Sequence, residues 1–212
     1  MSPGAWRTGA TRRVEEWQRH LASVDRAFGN VVERHARDVG LLLANGSAWE
    51  AYDDADPLVG VALASPDEEC LVRVASDHRA RATLMESGIR LVQEHLRRGV
   101  PLWVPSKDVT AENVAKSQGM TLSHRDLQMR IDTASARRSF GIVRHLDVTP
   151  SARRRGLGAW ALNELVARFA EAGQPQAQLG VHDDNESAAP ALYVAPGWRV
   201  VSSQGKWIQV AV

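Results

Sequence analysis

The spacing of hydrophobic positions changes several times along the chain, and each change marks an element. Val14, Trp17, Leu21, Val24 and Phe28 recur at intervals of three and four, the spacing of one helix face. Gly29-Asn30 supplies a stop for that helix. A second helix is predicted in VVERHARDVGLLLA, closed by the turn signal Asn45-Gly46. The pattern then shortens to apolar runs of strand length, AWEAY, PLVGVALA and CLVRVA, with PDEE as a turn between the last two. RATLMESGIRLVQEHLRR returns to a helical period and stops at Gly99. VPLWVP follows as a strand, TAENVAKSQ as a short helix with Thr110 at its N-cap, and LQMRI as a strand.

Beyond the polar bridge DTASARRS a similar order begins again. FGIVRHLDV reads as a strand, LGAWALNELVARFAEA as a helix stopped by Gly173, and AQLGV as a strand. ESAAPALYVA is a short helix with Pro190 near its first turn, and WRVVSS and KWIQVAV are a closing pair of strands. The two halves align as an internal repeat: VASDHRARATLMESG stands beside VTPSARRRGLGAWALNE, and Gly119-Met120 beside Gly197-Trp198. The expected class is a mixed α/β (α+β) sheet in two regions, 1–132 and 133–212.

Composition narrows the function classes. A net charge of +1 over 212 residues gives no global field for nucleic acid or an anionic membrane, so neither is expected as a partner. The single cysteine, Cys70, cannot form an intrachain disulfide, and no Cys/His spacing suggests a metal site. The longest apolar run, VGLLLA, is too short to span a bilayer, and the N-terminus lacks the apolar stretch of a signal peptide. A cytoplasmic location is the expectation.

The basic residues are instead local. VTPSARRRGLGAW sets three arginines and Gly-Leu-Gly at the mouth of a helix. A helix N-terminus presents unpaired N–H groups and partial positive charge, and an anion fits there. Glycine lets it approach the backbone, and arginine adds charge-assisted hydrogen bonds. The pattern lacks the third glycine of a dinucleotide fingerprint and the Gly-Lys-Ser/Thr of a Walker loop.

Arg153-x-x-Gly156-x-Gly158 resembles the Arg/Gln-x-x-Gly-x-Gly/Ala signature of the GNAT superfamily of acyl-CoA-dependent N-acetyltransferases. LDVTP resembles the strand end leading into that signature, and VHDDNESAAPALYVAPGW the family's second motif. The resemblance implies a GNAT-like fold and acetyl-CoA as cosubstrate. It implies that the backbone from Arg154 to Ala159, including Arg155, Gly156, Leu157 and Gly158, binds the coenzyme pyrophosphate, with Arg153 opening the signature. Leu146, Asp147 and Val148 would hold the pantetheine arm and the acetyl carbonyl, and Asn185 would contact the pantetheine region. Tyr193 would act as general acid toward the departing thiolate. The acceptor amine, of a small molecule or a protein, would attack the thioester directly. His145, Asp147, His182 and Asp183 all remain open as the base.

The first copy departs from the pattern. Ala82 and Leu84 stand where Gly156 and Gly158 do, and no Leu-Tyr precedes Gly119. It is read as degenerate and structural. The second copy is a half-domain, with only residues 132–139 between LQMRI and FGIVRHLDV. Its sheet must be completed by the N-terminal region or by exchange in a homodimer, and the alternation in LQMRI and FGIVRHLDV suits direct pairing of those two strands. Two function classes follow: an acetyltransferase, and an acyl-CoA-binding or regulatory module without turnover.

Overall fold

A computed structural model describes residues 6–8, 14–30, 36–53, 57–65, 70–95, 101–133, 140–143, 146–184, 189–194 and 197–209. The chain divides into two compact units, one of residues 1–124 with 204–212, the other of residues 125–203. The predicted PDEE turn, Gly99 and Asn185 lie outside the described residues.

The first unit is built on β1 (Trp6–Thr8), β2 (Ser47–Tyr52), β3 (Leu58–Ala64), β4 (Cys70–Val74) and β5 (Leu102–Pro105). β1 to β4 pair antiparallel in chain order, and β4 and β5 run parallel. Both faces of this sheet are covered, which is why its strands read as unbroken apolar runs rather than alternating ones. One face meets α1 (Val14–Ala27) and α2 (Ala36–Asn45) through Trp17, Leu21 and Val39 against Val61, Leu63 and Leu71. The other meets α3 (Arg81–His95) and α4 (Val109–Ser117) through Leu84, Met85, Ile89 and Ala115 against Ala62, Val72 and Val74. The buried carboxylates Asp25 and Glu50 in this interior are each paired, as burial demands. Arg73 Nε meets Asp25 Oδ1 at 3.0 Å, and Trp17 Nε1 donates to Glu50 Oε1 at 2.6 Å. β5 is flanked antiparallel by the C-terminal part of β9 (Arg199–Gln209), whose Trp207 is buried in the same core.

The second unit is a three-stranded set centred on β8 (Gln176–His182). β7 (Phe140–Val143) pairs with it in parallel, and β6 (Met120–Asp132) pairs antiparallel from Asp126 to Asp132. α5 (Leu157–Glu171) and α6 (Ala189–Val194) supply the helices. Leu127, Met129 and Ile131 of β6 join Leu162, Ala177, Leu179, Val181, Tyr193 and Trp198 in one core. Gly141 is required by close packing: a Cβ there would lie 2.4 Å from the Phe169 ring. β4, α3, β5, α4 and β6 are followed by β7, α5, β8, α6 and β9 in the same order, and β6 and β9 each run from one unit into the other.

Four sequence readings are corrected. Leu127–Ile131 does not pair with β7; the two strands flank β8 on opposite sides. WRVVSS and KWIQVAV are one continuous strand, β9, rather than a closing pair. At its centre Gly205 allows close packing, since a Cβ there would meet Leu122 and Trp207 at 2.9 Å. The N-cap of α4 is Asp108, not Thr110, and its carboxylate accepts the Ala111 N–H at 3.0 Å. β1 has no counterpart in the sequence reading, because three residues carry no periodicity. It is fixed instead by Trp6, whose indole N–H donates to Leu84 O and Ser87 Oγ.

Candidate active site

The first copy of the helix mouth is filled by its own side chain. Arg81, the first residue of α3, donates from Nε to Val74 O at 3.3 Å, pairs through Nη2 with the buried Asp108, and stacks over Phe28. The guanidinium of the first α3 residue is thus committed to a carbonyl and a carboxylate of its own unit.

The second copy is open. Among the described residues the β7–β8 register ends at Val143↔Leu179. From Leu146 to Thr149 the chain leaves the strand conformation while β8 continues to His182, and a cleft of about 420 Å³ lies beside this stretch. Pro150 begins a 3-10 turn, Pro150–Ala152, and suits its first position because it has no N–H to leave unpaired. Two residues then take left-handed backbone, Arg154 at φ 61° and Gly156 at φ 77°. Gly156 is the N-cap of α5 and has no side chain with which to cap it. The first N–H groups of a helix have no partner within it, so those of α5 remain for a ligand. The next, on Trp160, is taken by Gly156 O at 3.0 Å.

The two glycines of the signature do different work. A Cβ on Gly156 would meet nothing within 4 Å, so its requirement is the positive φ and the open space above it. A Cβ on Gly158 would lie 3.2 Å from Leu192 Cδ2 and 3.8 Å from Val148 Cγ2. Gly158 therefore lets α6 close against α5, a packing role that the sequence reading had not assigned.

The cleft is walled by Leu146, Asp147 and Val148 on one side and by Arg153, Arg154 and Gly156 to Ala159 at its mouth, with Tyr193 and Leu192 completing it. Arg153 Nε donates to Val148 O at 2.8 Å and its Nη2 lies 3.7 Å from Asp147, which ties the two walls together. Arg155 is exposed and is not part of the lining. Ala152 and Leu192 were not among the sequence candidates. Leu192 was detectable in principle, since a glycine in the first turn of a helix implies a close neighbour.

Tyr193 is held by the way α6 ends. Trp198 N–H donates to Tyr193 O at 3.2 Å and Gly197 N–H to Val194 O at 3.0 Å, with Gly197 at φ 97°. This is a Schellman cap. The hydrophobic contact that accompanies such caps is the Tyr193–Trp198 edge-to-face pair, with ring centroids 6.3 Å apart. The Leu-Tyr and Gly-Trp motifs thus form one device that orients the phenol. Burial raises the Tyr193 pKa above its usual value of 10.

The opposite face of β6 and β8 is polar throughout. Gln178 Nε2 donates to Gln128 Oε1 at 2.9 Å, Gln176 Nε2 to Asp132 Oδ1 at 2.9 Å, and His182 Nε2 lies 3.2 Å from Asp126 Oδ1. Gly180, the first β8 residue beyond the register with β7, is exposed on this face with nothing within 4 Å of a Cβ. Of the candidate bases, His182 lies on this face, Asp147 lines the cleft, Asp183 accepts the Arg125 N–H in the turn after β8, and His145 is outside the described residues.

Residues 121–196 match a family model described as Acetyltransferase (GNAT) family. Over that segment the chain is similar to the GNAT acetyltransferases. Solved structures agree over nearly the whole chain. A GCN5-related N-acetyltransferase from Sphaerobacter thermophilus superposes with a TM-score of 0.75 at 13% identity, covering 98% of this chain and 97% of that one. A tandem GNAT protein from the clavulanic acid biosynthesis pathway gives 0.61 at 13%, covering 96% and 97%. A GNAT-family acetyltransferase from Colwellia psychrerythraea gives 0.58 at 10%, covering 96% and 99%. At these identities the likeness is one of fold, and the fold is GNAT-like. No curated protein matches the sequence. The cleft, α5 and the Schellman cap at Val194 all fall within or against the GNAT segment.

Proposed function

We propose that the chain is an N-acetyltransferase that takes an acetyl group from acetyl-CoA and passes it to a primary amine by direct attack, at the cleft of residues 125–203. The observation that carries this reading is the cleft itself. An open helix N-terminus, a left-handed glycine and two arginines, Arg153 and Arg154, border the same cavity as a buried phenol. The N–H groups at the start of α5 and the guanidinium groups of Arg153 and Arg154 suit a pyrophosphate. The apolar walls of Leu146, Val148 and Leu192 suit a pantetheine arm.

Tyr193 has a bounded role in this scheme. With its pKa raised by burial, the phenol stays protonated at neutral pH and has a proton to donate. A thiol is a stronger acid than a phenol, and burial of Tyr193 widens that gap, so full transfer of its proton to the thiolate runs uphill. Tyr193 therefore donates a hydrogen bond to the sulfur as charge develops on it; the proton passes as the thiol leaves, and the proton shed by the amine returns the phenolate to phenol. The tetrahedral oxyanion would be met by backbone N–H near Val148. The amine would approach from the polar face at Gly180, where the β7–β8 register ends. It must shed a proton before attack, and the Asp126–His182 pair lies on that face. No helix among the described residues is long and apolar enough to cross a membrane.

Thiol release from acetyl-CoA across an amine library, with mass spectrometry of the products, tests the reading. Amine-dependent release supports it. Tight binding without release from any amine would instead support a coenzyme-binding module.

A further inference from the structure

Trp160 has no explanation in the packing of the second unit. It is 66% exposed, on the face of α5 turned away from Leu162 and the core. A solitary exposed apolar residue is ordinary, but this one lies beside the cleft. It is one turn on from Gly156, to which its own N–H is bonded, and three residues from Leu157, a wall of the cleft. Residues three and four apart are neighbours on a helix surface, and helical side chains lean toward the N-terminus over the preceding turn. The Trp160 side chain therefore leans toward the turn that holds Gly156, and no atom lies within 4 Å of a Cβ built on that glycine, which leaves room beside the indole. Open space at Gly156, an exposed indole one turn further on and the exposed cations Arg154 and Arg155 thus follow one another at the start of α5.

We propose that Trp160 is the stacking platform for the adenine ring of the coenzyme. The inference rests on the acetyl-CoA reading of the cleft and extends it to the nucleotide end, which the cleft lining does not include. A planar base stacks on indole without requiring specific hydrogen bonds, and stacking of a nucleobase on an aromatic side chain contributes about 1–3 kcal/mol. The platform would hold the adenosine against α5 while the arm reaches toward Tyr193. It would also give the chain a preference for the full coenzyme over fragments that end at the 4′-phosphate.

The test compares acetyl-CoA with acetyl-4′-phosphopantetheine, which lacks the adenosine, its 3′-phosphate and the second phosphate of the pyrophosphate, in calorimetric titrations of the full chain. Wild type should bind acetyl-CoA the more tightly. Trp160→Ala should weaken acetyl-CoA about tenfold, equivalent to about 1.4 kcal/mol, and leave acetyl-4′-phosphopantetheine unchanged. Trp160→Phe should recover most of the loss. Because Trp160 is exposed, both variants should keep wild-type circular dichroism. Unchanged acetyl-CoA affinity in Trp160→Ala, or equal weakening of both ligands, would overturn the platform while leaving the cleft reading intact. Failure of wild type to bind either ligand would overturn both.

Discussion

Gly158→Asp separates the two things that the start of α5 does. In the folded chain alone the substitution should cost little. An acidic side chain in the first helical turn is favourable by about 0.3–1 kcal/mol. Against this, the new Cβ presses on Leu192 Cδ2 at 3.2 Å, and Leu192, 37% exposed, is free to shift by a few tenths of an ångström. The two effects are of similar size and opposite sign, so the melting temperature should move by only a few degrees. For a bound pyrophosphate the balance is different. A carboxylate about 4 Å from a phosphate oxygen, at an effective dielectric near 20, costs about 4 kcal/mol per unit charge. That corresponds to about a thousandfold in Kd, before any loss from bulk. Gly158→Ala carries the same contact with Leu192 without the charge and should lose far less. Isothermal titration with acetyl-CoA reads both variants, with thermal unfolding as the control for fold. If Gly158→Asp stays folded and binds acetyl-CoA as wild type does, the N-terminus of α5 is not the pyrophosphate site.

Three further outcomes follow. Tyr193→Phe should lower kcat by about 10²–10⁴-fold, the range for acid catalysis, with little change in acetyl-CoA affinity; because burial raises the phenol pKa, any loss of wild-type kcat from Tyr193 ionisation should come at higher pH than for an ordinary phenol. Arg81→Ala should destabilise the chain by about 3–5 kcal/mol, because it leaves Asp108 charged, buried and without its guanidinium; denaturant unfolding measures this, and a wild-type stoichiometry of two acetyl-CoA per chain would contradict the structural role given to the first copy. A fragment of residues 133–212 should not form a dispersed, monomeric fold, because it lacks Leu127, Met129 and Ile131 of the second core; a monomer with native-like amide dispersion would refute that dependence.

Periodicity was enough to read α1 and α3, because each buries one stripe at helical spacing, as Trp17, Leu21 and Val24 do in α1. The cradle was readable for a different reason. Gly156 and Gly158 sit where a side chain is excluded, and such exclusions leave a mark in sequence whether the excluding object is φ or a neighbour. The partner of each strand was not readable. β6 and β7 both alternate, and alternation states which face is buried without stating which strand lies alongside. LQMRI fits β8 as well as it fits β7, and only the assembled core, with Met129 against Leu179, selects β8. The extent of β9 was hidden by Gly205, which in isolation reads as a break. In the structure it makes room for Leu122 and Trp207. The exposure of Trp160 was equally invisible, since an apolar residue early in a helix reads as core until the helix is docked.

The central claim is transfer of acetyl from acetyl-CoA to an amine at one cleft per chain, and simultaneous measurement of thiol release and acetyl-amine formation tests it most directly. The account predicts one acetyl-amine formed per thiol released, at a rate saturable in both substrates and reduced in Tyr193→Phe. Saturable acetyl-CoA binding at the cleft with no acetyl-amine formed from any amine class would contradict it.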